Sequence, residues 1–160
     1  MKKGRYLLEG CAVDPLLNDQ AFLKLVVYLR KESLIDIFVT GLTFDDIDHI
    51  QNEERRLALR AVIAQIDPEN AFYPAVLVDE GYKRNRPTLT GHVVTSSEET
   101  MQLLHRLKHD GRADARQAVA AKMIDATLVT NDQGLIRRAL SEGINAITTE
   151  QWRAELEELI

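Results

Sequence analysis

The sequence predicts an α/β fold, with a central, mostly parallel sheet covered by helices on both faces, so three layers, α/β/α. Three observations lead there. Short apolar or β-branched runs alternate along the chain with segments whose apolar residues recur at helical spacing. Residues 126–147 form a compact strand–helix–strand unit, the building block of a parallel sheet. No repeat, low-complexity tract or linker divides the 160 residues, so one domain over 1–160 is expected, long enough to bury a substantial core.

Each element has a local reason. Tyr6, Leu7 and Leu8 make a short first strand. Asp14-Pro15 marks a turn and a helix entry, and Phe22, Leu25, Val26 and Leu29 give the next helix its apolar face. Residues 34–40 (LIDIFVT) are a strand, broken by Gly41. Thr43 and Asp46 fit a capping pattern, which predicts one helix to about Ile66 with Ile47, Ile50, Leu57, Ala61 and Ala64 on one face. Its charged middle, QNEERR, reads as solvated, and Asp67-Pro68 ends it. Residues 73–78 and 92–95 read as extended, around a loop with three cations.

Ser96 and Glu99 form a capping box for a helix that stops at Asp110-Gly111. An alanine-rich helix follows from Asp114, then a buried-type strand over 126–130, a helix over 133–140 closed by Gly143, and a strand over 144–147. The segment 148–151 (TTEQ) caps a last helix anchored by Trp152. Cys11, the single cysteine, rules out an intrachain disulfide and a Cys-based zinc site, and reads as a small buried packing residue. No signal peptide and no membrane span is apparent, so a cytoplasmic location is expected. The four histidines lack a spacing that converges with the acids.

In open α/β sheets the site lies beyond the carboxyl ends of the strands. Glu9, Asp45, Asp46 and Asp132 all follow strands, and Asp114 begins a helix that runs back across the sheet. These acids can therefore share one edge, where their repulsion calls for a cation. Hard oxygen ligands of this kind suit Mg²⁺ or Mn²⁺, which bind substrate phosphate. Taken singly, Asp46, Asp114 and Asp132 read as helix caps. The net charge of −5 argues against bulk attraction to nucleic acid but is compatible with a carboxylate-rich metal site.

The run DARQAVAAKMIDATLVTND, residues 114–132, resembles the PIN-domain family of Mg²⁺/Mn²⁺-dependent ribonucleases, which includes many toxins of type II toxin–antitoxin pairs. RALSEGINAITTEQW, RYLLEG and TFDDI resemble other parts of the same pattern. The resemblance implies a PIN-like fold and catalytic acids at Glu9, Asp46, Asp114 and Asp132, with Glu9, Asp114 and Asp132 holding Mg²⁺ or Mn²⁺. It implies Thr130 as the supporting hydroxyl, and in-line attack of water on single-stranded RNA leaving a 5′-phosphate. Lys83, Arg84, Arg86, Arg112 and Arg116 are the candidates to guide the RNA backbone. An antitoxin and a second copy are the protein partners the family suggests, with no membrane role. The apolar face of the 43–66 helix is a candidate dimer surface.

Three positions depart from the pattern. Glu9 stands where the family has Asp, Gly10-Cys11 where it has a small polar pair, and Asp46 where it has Glu. One methylene moves a carboxylate by about 1.5 Å, against metal–oxygen tolerances of about 0.2 Å. The competing reading is therefore a degenerate PIN-like domain that binds RNA or a protein without cutting. A nucleotide-binding domain is disfavoured, since neither GxGxxG nor GxxxxGK[ST] occurs.

Overall fold

Residues 3–71, 98–107 and 114–160 are described by the computed structural model. Among the described residues, five parallel strands form one sheet: β1 (Gly4–Leu8), β2 (Ile35–Val39), β3 (Glu69–Asn70), β4 (Thr127–Val129) and β5 (Ala146–Ile147). Their order is β3-β2-β1-β4-β5. The chain steps outward from β1 to β2 and β3, then returns to place β4 beside β1 and β5 beyond it. The register Leu7 to Leu128 and Leu8 to Val129 fixes the β1–β4 seam. The helices are α1 (Asp14–Asn18), α2 (Gln20–Lys31), α3 (Gly41–Asp48), α4 (Glu53–Ile66), α5 (Glu98–Leu107), α6 (Asp114–Met123), α7 (Gln133–Ser141) and α8 (Thr149–Glu157).

The period-2 alternation of the strands decides the layers. Tyr6, Leu8, Ile35, Ile37, Val39 and Val129 face a core closed by α1, α2, α4 and α8. Leu7, Phe38, Leu128 and Ala146 face the opposite core, closed by α5, α6 and α7. Apolar residues point both ways, as a sheet covered on both sides requires. The three-layer α/β/α class expected from the sequence is the observed one. Among the described residues, no helix is long and apolar enough to cross a membrane.

α6 is buried nearly all round: Ala115, Arg116, Gln117, Ala118, Val119, Ala120 and Ala121 are consecutive and all buried. Only small side chains let a helix sit so close to a sheet and two neighbours. Its far end is held by Arg5, whose Nε and Nη2 donate to the Ile124 carbonyl at 3.1 and 2.8 Å. The same guanidinium stacks on Phe38, 4.8 Å from the ring centroid.

Several local expectations are corrected. The single helix expected over 43–66 is two. Thr40 caps α3 through the Leu42 amide, which makes Gly41 the first helical residue rather than a breaker and puts Thr43 at the third position. Asn52 then caps α4 by accepting from the Arg55 amide at 3.0 Å. The buried face of α4 is Leu59, Val62, Ile63 and Ile66, while Leu57 is 59% exposed and Ala61 and Ala64 face solvent. Of the face proposed for dimerisation, Ile47 is packed into the core, whereas Leu57, Ala61 and Ala64 stay on the solvent side. The edge strand β3 falls in a segment to which the sequence assigned no strand before residue 73. Residues 73–78 and 92–95, the cap at Ser96, and Lys83, Arg84, Arg86 and Arg112 lie outside the described residues.

Candidate metal and phosphodiester site

The topological switch point, where β1 and β4 lie side by side but lead to opposite halves of the sheet, is where open α/β sheets leave a crevice at their carboxyl edge. Glu9 is the first residue beyond β1 at that point. Its amide donates to the Val129 carbonyl at 3.2 Å, continuing the β1–β4 ladder by one rung. Its side chain is buried, 5% exposed. Glu9 Oε2 accepts a hydrogen bond from the Thr130 hydroxyl and another from Cys11 Sγ at 3.6 Å. Thr130 Oγ1 in turn accepts from the Asp132 amide at 3.2 Å. One hydroxyl therefore ties the Glu9 carboxylate to the turn that carries Asp132.

Asp132 caps α7, its Oδ1 accepting from the Leu135 amide at 3.1 Å. The capping role foreseen from sequence is real, and it occupies one of the two carboxylate oxygens. Asp46 sits in the second turn of α3, against the backbone of Gly10. A Cβ built on Gly10 would lie 2.8 Å from Asp46 Cβ and 3.0 Å from Asp46 Oδ2. Gly10, which sequence comparison treated only as a missing polar helper, is thus the residue that lets α3 approach the Glu9 turn. Gly10→Ala is expected to push Asp46 away and to cost about 1–3 kcal/mol, the range for overpacking. Urea unfolding of the two proteins measures it.

Asp114 opens α6 at the same edge, and its side chain lies outside the described residues. Arg116 is 4% exposed. Its guanidinium therefore lies in the interior and not on the open surface, where a backbone-guiding cation was expected. Cys11 is exposed as a residue, contrary to the buried packing role expected of it. Its sulfur nonetheless turns inward, accepting from the Asn131 amide at 3.5 Å. Desolvation and the adjoining Glu9 carboxylate push the thiol up to about 11. At neutral pH it is protonated and a poor nucleophile. Its alkylation by iodoacetamide should therefore rise with pH towards a midpoint near 11, whereas a free thiol titrates at about 8.5. A rate profile from pH 7 to 11.5 checks this, and a midpoint near 8.5 would contradict the packing described.

Sequence reasoning missed a second layer of polar groups. Thr40, Thr43 and Gln117 are all buried and joined to one another beneath the acids. The signal was present as a lone glutamine in an alanine-rich helix. Asn131 also went unremarked: its Oδ1 accepts from the amide and hydroxyl of Thr149 at 3.1 and 3.0 Å, fixing the end of β4 to the start of α8.

The side chains placed at this edge, the carboxylates of Glu9, Asp46 and Asp132 and the hydroxyl of Thr130, are hard oxygen donors. That chemistry fits Mg²⁺ or Mn²⁺ in preference to softer ions. Among the described residues no three His, Cys, Asp or Glu side chains form a group that could hold a metal ion.

No protein-family model matches the chain, and no curated protein is similar to it. Among solved structures it is similar to PAE2754 from Pyrobaculum aerophilum, known from its crystal structure. The TM-score is 0.57 at 15% sequence identity, over 98% of this chain and 99% of that one. At that identity the likeness concerns the fold.

Proposed function

We propose that this chain is a Mg²⁺- or Mn²⁺-dependent ribonuclease of the PIN type, cutting single-stranded RNA in the cytoplasm as the toxin of a type II pair. The observation that carries the reading is the Glu9–Thr130–Asp132 connection at the switch point, with Asp46 set against Gly10 beside it. Support comes from the placement of acids after three strands on that one edge, beside the start of α6. Glu9, Asp114 and Asp132 would hold the ion, with Asp46 as a further ligand, directly or through water. When bound, the ion supplies Lewis acidity towards the phosphodiester and lowers the pKa of a water. The chain's own contribution is orientation. Thr130 fixes the rotamer of Glu9, and the α7 cap fixes Asp132. Lys83, Arg84, Arg86 and Arg112 are the cations this reading assigns to the RNA backbone; the buried Arg116 is not among them.

One observation favours a second reading, a domain that binds RNA or a protein without cleavage. Glu9 Oε2 already holds two protein donors, Thr130 and Cys11, which compete with a cation. Mn²⁺ titration calorimetry separates the two. The nuclease reading expects binding at millimolar Mn²⁺ or below, weakened at least about 10-fold in Asp114→Asn, since even outer-shell changes at metal sites cost 10–100-fold. No heat of binding in the wild type would favour the second reading. Binding that survives Asp114→Asn unchanged would move the site elsewhere.

A further inference from the structure

We propose that Gln117 is a positioning residue of the acidic edge, a buried side chain that sets the spacing between the elements carrying Glu9, Asp46 and Asp114. The proposal rests on the nuclease reading for its purpose, though its geometry stands without it.

Gln117 is 1% exposed on α6, in a run of alanines where a leucine or methionine would pack without polar cost. Both ends of its amide are used. Thr40 Oγ1 donates to Gln117 Oε1 at 3.0 Å, and Gln117 Nε2 donates to Thr43 Oγ1 at 3.2 Å. Thr43 Oγ1 passes its own proton to the Leu8 carbonyl at 2.8 Å and also accepts from the Thr40 amide at 3.4 Å. Only this orientation of the amide leaves the Thr43 proton for Leu8; the flipped amide would claim it. The network is closed and directional.

What it touches decides its meaning. Leu8 immediately precedes Glu9. Thr43 is three residues before Asp46 on α3, one helical turn. Gln117 itself is three residues after Asp114 on α6. A single buried amide, one turn from Asp114, thus bonds directly to Thr43, one turn from Asp46, and through the Thr43 hydroxyl reaches the Leu8 carbonyl, one residue from Glu9. Fixed supporting bonds of this kind hold ligating groups to within the small tolerance that a metal site demands.

The test compares Gln117→Leu, Thr43→Val and Thr43→Ser with Leu156→Ala, a core change near the end of α8, in the opposite layer. Two readouts are taken. The first needs no metal: the iodoacetamide rate at Cys11, the only cysteine, which reports on the Glu9 turn. The second is Mn²⁺ affinity by calorimetry. Gln117→Leu and Thr43→Val are expected to raise the thiol rate at least 3-fold and to weaken Mn²⁺ at least 10-fold. Thr43→Ser, which keeps the hydroxyl, should match wild type in both. Leu156→Ala should lower the Tm without moving either. If Gln117→Leu unfolds, the Thr43 pair decides alone. Unchanged thiol rates in Gln117→Leu and Thr43→Val would overturn the proposal, as would equal changes in Leu156→Ala. A wild type that binds no Mn²⁺ while the thiol rates respond would remove the nuclease reading and leave the positioning role standing.

Discussion

Asp132→Asn should reduce Mn²⁺ affinity, and RNA cleavage with it, on the order of 100-fold, while leaving the Tm within a few degrees of wild type. The proposed function gives this residue a second job beside its cap. As the cap of α7 its Oδ1 accepts from the Leu135 amide, and asparagine caps a helix about as well as aspartate. As a ligand it needs its negative charge, which asparagine lacks. The upper end of the 10–100-fold range for supporting residues is a floor for a direct ligand. Asp132→Ala removes both jobs and should add a stability loss of about 1 kcal/mol, the usual cost of a lost cap. Calorimetric Mn²⁺ titration, a fluorescent single-stranded RNA assay and thermal melts of both variants give the comparison. If Asp132→Asn keeps full affinity and activity, Asp132 is a cap and nothing more.

Trp152→Ala should cost about 3–5 kcal/mol, the range for removing a large buried aromatic. Against a total stability of about 5–15 kcal/mol, that leaves the chain marginal. Trp152 is fully buried and holds α8 to two other elements at once. Its ring lies 5.8 Å from Tyr6 on β1 and 5.3 Å from Phe22 on α2, both tilted towards edge-on. Tyr6 adds a second tie to the same helix, donating to Glu155 Oε2 at 3.0 Å. Burial and the neighbouring Glu155 carboxylate both push its phenol upward, so it keeps its proton. The Trp152 Nε1 proton finds no hydrogen-bond partner among the described residues. Trp152→Phe should consequently cost far less than Trp152→Ala, because the lost ring volume is offset by removing a desolvated donor. Denaturant melts of the two variants settle the ratio, and equal losses would mean that the indole proton is satisfied.

Where the sequence was read correctly, the cause was local. Strands β1, β2, β4 and β5 showed as runs of apolar or β-branched residues, α7 and α8 as periodic segments with caps, and Asp132 as an acid just past a strand. Thr148 and Gln151 form the expected capping box, and Gly143 takes φ +75° past the end of α7. Where local signals competed, the reading slipped. Thr43 looks like a cap, but Thr40 stands nearer the strand end and takes that place, so Thr43 is left free to reach Leu8 and Gln117. The face of α4 was misread because Leu57, Ala61 and Ala64 repeat at helical spacing as well as Leu59, Val62, Ile63 and Ile66 do. Only the sheet beneath selects between them.

By itself the sequence determined the α/β class, the strand that delivers Thr130 and Asp132, and the helix that begins at Asp114, because short-range periodicity and capping chemistry suffice for these. Tertiary structure alone decided that β1 lies beside β4, that Glu9 meets Thr130 across 121 residues of chain, and that Gly10 makes room for Asp46. It also buried Arg116, exposed Cys11 and put Gln117 beneath the acids. Strand order and the packing of distant side chains carry no local period, so they exist only once the sheet has formed.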